Sequence, residues 1–187
     1  MKKKMYLIAA LLVVLAMLGT GTLAYFTTRA VTHNVITTGG VKIQLVEEFP
    51  AGGDDKHAKG IMPGSELEKK VQVKNLDAPA WIRVKVSVSC NGEAVDPKVM
   101  AIDYNVGTAA NQWTKGTDNI YYYNSIVTAP EKTAPLFSKV AFSGADMGNE
   151  YQNSEFVVSV EAQAVQAANN PIPTGGNVTG VQGWPNS

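Results

Sequence analysis

Trp81-Ile82-Arg83-Val84-Lys85-Val86-Ser87-Val88-Ser89-Cys90 (WIRVKVSVSC) decides the fold. Ile82, Val84, Val86 and Val88 alternate with Arg83, Lys85, Ser87 and Ser89. In an extended chain successive side chains point to opposite faces, so four β-branched residues share one face and the polar groups share the other. A strand of this kind covers a core on one side and meets water on the other, which is the mark of an antiparallel sheet.

The same period of two recurs on both sides of this stretch. Val41, Ile43 and Leu45 alternate with Lys42 and Gln44, and Val71 and Val73 alternate with Gln72 and Lys74. Phe156, Val158, Val160, Ala162 and Ala164 alternate with polar neighbours that include Ser159, Glu161 and Gln163. Tyr121–Tyr123 and Phe137–Phe142 are shorter candidates. Between them fall Pro63-Gly64, Asn91-Gly92, Asp96-Pro97, Lys115-Gly116 and Ser143-Gly144, residues that make tight turns. Helical periodicity is never sustained, although Asp96–Ile102 has room for a short turn or helix. Several short strands with Gly/Pro turns predict an all-β sandwich or jelly roll over residues 41–167. Ala168–Ser187 holds three prolines and four glycines without alternation, and is expected to be a flexible tail.

Residues 1–24 follow a different plan. Lys2, Lys3 and Lys4 precede an apolar run from Met5 to Leu18, and small residues follow as far as Ala24. A basic start, an apolar centre and a small-residue exit describe a secretory signal, with Thr22 and Ala24 placed for cleavage before Tyr25. The competing reading is an uncleaved anchor, since about 20 apolar residues can span a bilayer. The strictly apolar part is shorter than that, so cleavage is the expectation, and membrane contact is expected only through the uncleaved signal. Removal of 24 from 187 residues leaves 163, the size of one domain. The three lysines leave with the signal, so 16 basic residues fall to 13 against 16 acidic ones, a net charge of −3. That balance gives no support to nucleic-acid binding by charge neutralisation.

Chemistry is sparse. Cys90 is the one cysteine, which excludes an intramolecular disulfide and a Cys-rich zinc site; it reads as a small hydrophobe near a strand end. His33 and His57 lie in dissimilar contexts, and no His-Glu-x-x-His spacing exists to place two imidazoles on one helical face. No Gly-x-Ser-x-Gly elbow and no phosphate-cradling glycine loop occur. Glu47-Glu48 and Asp54-Asp55 are adjacent pairs, whose side chains diverge on a strand. Catalytic, metal-binding and cofactor-binding residues are therefore expected to be absent, and no enzyme is predicted. Trp113 with Tyr121–Tyr123 reads as core packing, with a carbohydrate or partner platform as the alternative.

A family resemblance rests on Leu18–Thr27 (LGTGTLAYFT), Thr37–Leu45 (TTGGVKIQL), Met62-Pro63-Gly64 and Val71–Asn75 (VQVKN). Ile120–Asn124 (IYYYN), Thr133–Val140 (TAPLFSKV) and Val160–Ala168 (VEAQAVQAA) extend it. Together these stretches resemble the TasA/camelysin family of Gram-positive secreted proteins, whose signals are removed by a SipW-type signal peptidase. The resemblance implies a jelly-roll-like antiparallel β-sandwich and a structural role in extracellular biofilm-matrix fibres or at the cell surface. It also implies self-association, or association with related matrix subunits, by donation of the strand freed at the Ala24-Tyr25 cut.

The donor candidate is residues 25–40, with Phe26, Thr28, Val31, Val35 and Ile36 as its strand-forming residues and Gly39-Gly40 as a hinge. The segment contains no proline and one formal charge, Arg29, and it is equally suited to be an ordinary first strand. Camelysin-like relatives have been labelled metallopeptidases, but this sequence has no zinc motif to receive that activity. The alternative to a fibre subunit is a monomeric surface adhesin or binding module using the aromatic residues.

Overall fold

The computed structural model describes residues 27–33, 41–48, 57–59, 61–117, 119–151 and 154–185, with the backbone alone for 27–33, 57–59 and Asn169. The described chain is all-β, with two sheets packed face to face as a β-sandwich. Its strands are β1 (Thr27–His33), β2 (Ile43–Glu48), β3 (His57–Lys59), β4 (Glu66–Asn75), β5 (Ala80–Cys90) and β6 (Glu93–Ala94). They continue with β7 (Met100–Tyr104), β8 (Trp113–Lys115), β9 (Ile120–Tyr123), β10 (Phe137–Phe142) and β11 (Glu155–Gln166). Sheet A runs β3-β1-β11-β5-β9-β8, with β6 paired to the end of β5, and sheet B runs β2-β4-β10-β7. Neighbours in each sheet are mostly distant in sequence, as the jelly-roll-like expectation requires.

The alternation in Trp81–Cys90 resolves as read. Ile82 and Val84 are fully buried and Val86 nearly so, while Lys85 and Ser87 are exposed. Burying each such side chain contributes about 1.5–3 kcal/mol. β11 lies antiparallel to the whole of β5, from Phe156 opposite Cys90 to Gln166 opposite Ala80. This register puts Phe156, Val158, Val160, Ala162 and Ala164 on the inner face beside the β5 apolar set, and all five are buried. Val71 and Val73 of β4 and Phe137, Val140 and Phe142 of β10 meet them from sheet B.

The turn residues act as their chemistry demands. Ser65 N–H donates to Met62 O at 3.0 Å around Pro63 and Gly64, and Gly64 has φ +79°, which only glycine adopts without strain. Asn91 and Gly92 both have positive φ, 51° and 89°, and join β5 to β6 in the hairpin turn whose twist matches that of the strands.

Of the short turn or helix allowed over Asp96–Ile102, the turn forms: Lys98 N–H donates to Asp96 Oδ1 and Val99 N–H to Asp96 O, before β7 begins at Met100. Two expectations are revised. The sandwich is not wholly antiparallel, because β1 runs parallel to β11. Residues 168–185 are not a loose tail. Val178 and Val181 are buried against Trp81 and Val165, with Tyr122 and Trp184 packed around them. The cause lies at one end of the outer face of sheet A, where the register sets Trp81 beside Val165 and so creates an apolar patch that needs cover. Trp81 Nε1–H donates to Asn170 O at 2.8 Å, and Arg83 stacks on the Trp184 ring at 4.7 Å. The signal, residues 1–24, lies outside the described residues. Among those described, no helix is long and apolar enough to cross a membrane.

Candidate functional site

The strand β1 and the slot that holds it form the candidate site. β1 pairs in parallel with the first half of β11, from Thr27 opposite Glu155 to His33 opposite Glu161. Among the described residues its other edge pairs with β3 through Thr27, Thr28 and Arg29, opposite Lys59, Ala58 and His57. A parallel ladder is slightly less stable per residue than an antiparallel one, and a three-residue strand adds little. β1 is therefore held mainly by β11, and β11 is held independently of β1 by its full-length pairing with β5.

The start of β11 is fixed from the β5–β6 turn. Glu155 N–H donates to Asn91 Oδ1 at 2.9 Å, Asn91 N–H donates to Glu155 O at 2.9 Å, and Asn91 Nδ2–H donates to Ser154 Oγ at 3.1 Å. Opposite β1 stand Phe156, Val158 and Val160, in register with Thr28, Ala30 and Thr32 and all fully buried. The Phe156 ring is further set by Phe142 at 5.2 Å and Tyr151 at 5.9 Å. The slot thus has a pre-organised edge on a strand whose inward side chains are apolar, and such an edge binds an extended strand by main-chain hydrogen bonds.

Of the residues assigned to strand donation, Thr28 and Val31 fall within β1, opposite Phe156 and Ser159. Ala24, Tyr25, Phe26, Val35, Ile36, Gly39 and Gly40 lie outside the described residues. β1 belongs to sheet A, whereas β2, the next strand along the chain, belongs to sheet B.

A buried ion pair sits on β2 and β4. Lys69 continues the inward face of Val71 and Val73, and its Nζ donates to Glu47 Oε1 at 2.8 Å, with side-chain exposures of 2% and 7%. Burial holds the Lys69 ammonium below its usual pKa, outweighing the attraction and hydrogen bond of Glu47. Lys70 and Lys132 reach Glu48 on the solvent side, at 3.4 and 3.7 Å. No periodicity argument pointed to this pair, although the alternation of β4 already puts Lys69 in phase with Val71.

The aromatic residues form no platform. Trp113 is fully buried, its indole N–H donates to Ala134 O at 3.2 Å, and its ring packs on Tyr123 at 5.1 Å. Tyr121 is also buried and stacks on Tyr104 at 4.4 Å. Burial raises the pKa of both hydroxyls, with Tyr121 adding to the rise at Tyr104. Tyr122 alone of the three turns outward, towards Trp184. Cys90 ends β5, partly buried against the core. Among the described residues, no three His, Cys, Asp or Glu side chains converge as metal ligands. Comparison of the chain with protein-family models, with curated proteins and with solved structures gives no match.

Proposed function

We propose that the chain is a secreted structural subunit of an extracellular matrix or cell surface, which assembles by lending β1 to the β11 slot of a neighbouring copy. The observation that carries this reading is the parallel attachment of β1 to a β11 that is secured without it, with only the three-residue β3 described on the other edge of β1. A strand bound in this way makes the same hydrogen bonds whether the slot belongs to its own chain or to another copy, so exchange costs few contacts. Each chain offers one strand and one slot, and a head-to-tail series follows. Signal removal before Tyr25 would free the end of the strand and permit the exchange.

The test uses the chain beginning at Tyr25 and a version lacking 25–39, both viewed by electron microscopy. Fibres from the first and none from the second are expected. A synthetic peptide of residues 25–39 added to the shortened version should bind it and raise its melting temperature. Equal polymerisation of the two proteins, or none by either under any condition, refutes strand donation.

A further inference from the structure

A second edge of the sandwich is open. β7 is the outermost strand of sheet B: β10 borders one side, and among the described residues no strand borders the other. Asn105 N–H donates to Leu136 O and Val99 O accepts from Ser143 N–H, so the odd-numbered residues turn their backbone groups towards β10. By the alternation of an antiparallel ladder, Met100, Ile102 and Tyr104 turn theirs to the open side. Two of those groups are already used inside the chain: Met100 N–H reaches Asp96 O at 3.4 Å, and Tyr104 O accepts from Val106 N–H at 2.8 Å. Met100 O, Ile102 N–H, Ile102 O and Tyr104 N–H remain directed outward.

Those four groups match the needs of a second β7. In an antiparallel pair with its dyad at Ile102, each Ile102 N–H meets the Ile102 O of the other copy, and each Tyr104 N–H meets the other Met100 O. The two positions that such a pair would leave unmade are the two already bonded within the chain. Side chains agree with this register. Ala101 and Asp103, both exposed, would stand opposite each other, so no two like charges meet. Ile102 would face Ile102 on the inner side, where a recess of about 410 Å³ lined by Val86, Val88, Tyr104, Tyr121 and Lys115, the last with its ammonium over the Tyr121 ring, has room for an added strand's side chains. β7 carries no proline and no inward-pointing charge to guard the edge.

We infer that two copies of the chain pair through β7 as a two-fold dimer that continues sheet B from one copy into the next. The contact is isologous and closed, unlike head-to-tail strand donation, and does not depend on it. Within a matrix it would join subunits sideways.

Sedimentation velocity of the chain beginning at Tyr25, over a wide concentration range, tests this with two variants whose melting temperatures confirm the fold. Ala101→Asp sets a carboxylate opposite Asp103 twice per dimer and should weaken the dimer about tenfold. Adding Asp103→Lys to Ala101→Asp makes each facing pair opposite in charge and should restore it. A monomer at all concentrations overturns the inference. Self-association indifferent to both substitutions also overturns it, and leaves strand donation untouched. Open-ended assemblies that are lost on Ala101→Asp assign the edge to a donated strand instead of a second β7.

Discussion

Replacing Lys69 by Met should cost this protein more than replacing Lys69 and Glu47 together. At 2.8 Å the pair attracts by about 6 kcal/mol if the effective dielectric constant is about 20. Desolvation of two ions exposed by only 2% and 7% costs several kcal/mol each, which is why the Lys69 pKa falls despite its partner. Removing the ammonium alone takes the ion-pair partner from a buried carboxylate and should destabilise by about 3–5 kcal/mol. In a domain of this length that lowers the melting temperature by about 6–20 °C. Lys69→Met with Glu47→Leu removes both desolvation costs and should lie between neutral and about 4 kcal/mol more stable than the parent.

The assay is urea unfolding followed by tryptophan fluorescence, repeated at alkaline pH. A lysine whose folded pKa lies below its usual 10.5 keeps its proton in the unfolded chain over a window where the folded chain has lost it. Stability therefore rises with pH across that window, and Lys69→Met should lose the rise. Tyr104 and Tyr121, held above 10.0 by burial, act in the opposite direction in both proteins, so the difference between the two is the readout. A single variant that loses less than about 1 kcal/mol, or a double variant as unstable as the single, refutes the reasoning.

Two more outcomes test the packing. Asn75 is fully buried; its Nδ2 donates to Ala78 O and Val127 O, and its Oδ1 accepts from Asp77 N–H, so Asn75→Ala should cost about 3 kcal/mol or more in urea unfolding. A loss below about 1 kcal/mol would show that water replaces these bonds. Val181→Asp puts a charge beneath Trp81 and Val165, so it should release residues 171–185 to limited proteolysis and change Trp184 fluorescence while the sandwich stays folded. A C-terminal segment that remains protected would count against its role as the cover of that patch.

The strand β5 is legible in its residues alone, because a side-chain period of two leaves Ile82, Val84 and Val86 a single face to share. The same holds for β11, for Val71 and Val73 of β4, and for the Asn91-Gly92 turn, where two left-handed residues suit a two-residue hairpin. These are local matters of sterics and alternation, and they are written in the order of residues. Partner choice is not. The parallel pairing of β1 with β11 joins residues more than a hundred positions apart, and nothing in Thr27–His33 states a direction. Trp81 looked outward by parity and is covered all the same, because only the register of β5 against β11 sets it beside Val165 and makes a patch for Val178 and Val181 to close. Trp113 offered the same ambiguity, since an aromatic ring suits a core and a binding surface equally well. Lys69 kept the alternation of β4 and broke its polarity, and β2 brings Glu47 to its side as an ion-pair partner. Alternation specified the faces; which face meets which neighbour was settled by the long-range pairing that buries the most apolar surface while leaving the fewest polar groups without a partner.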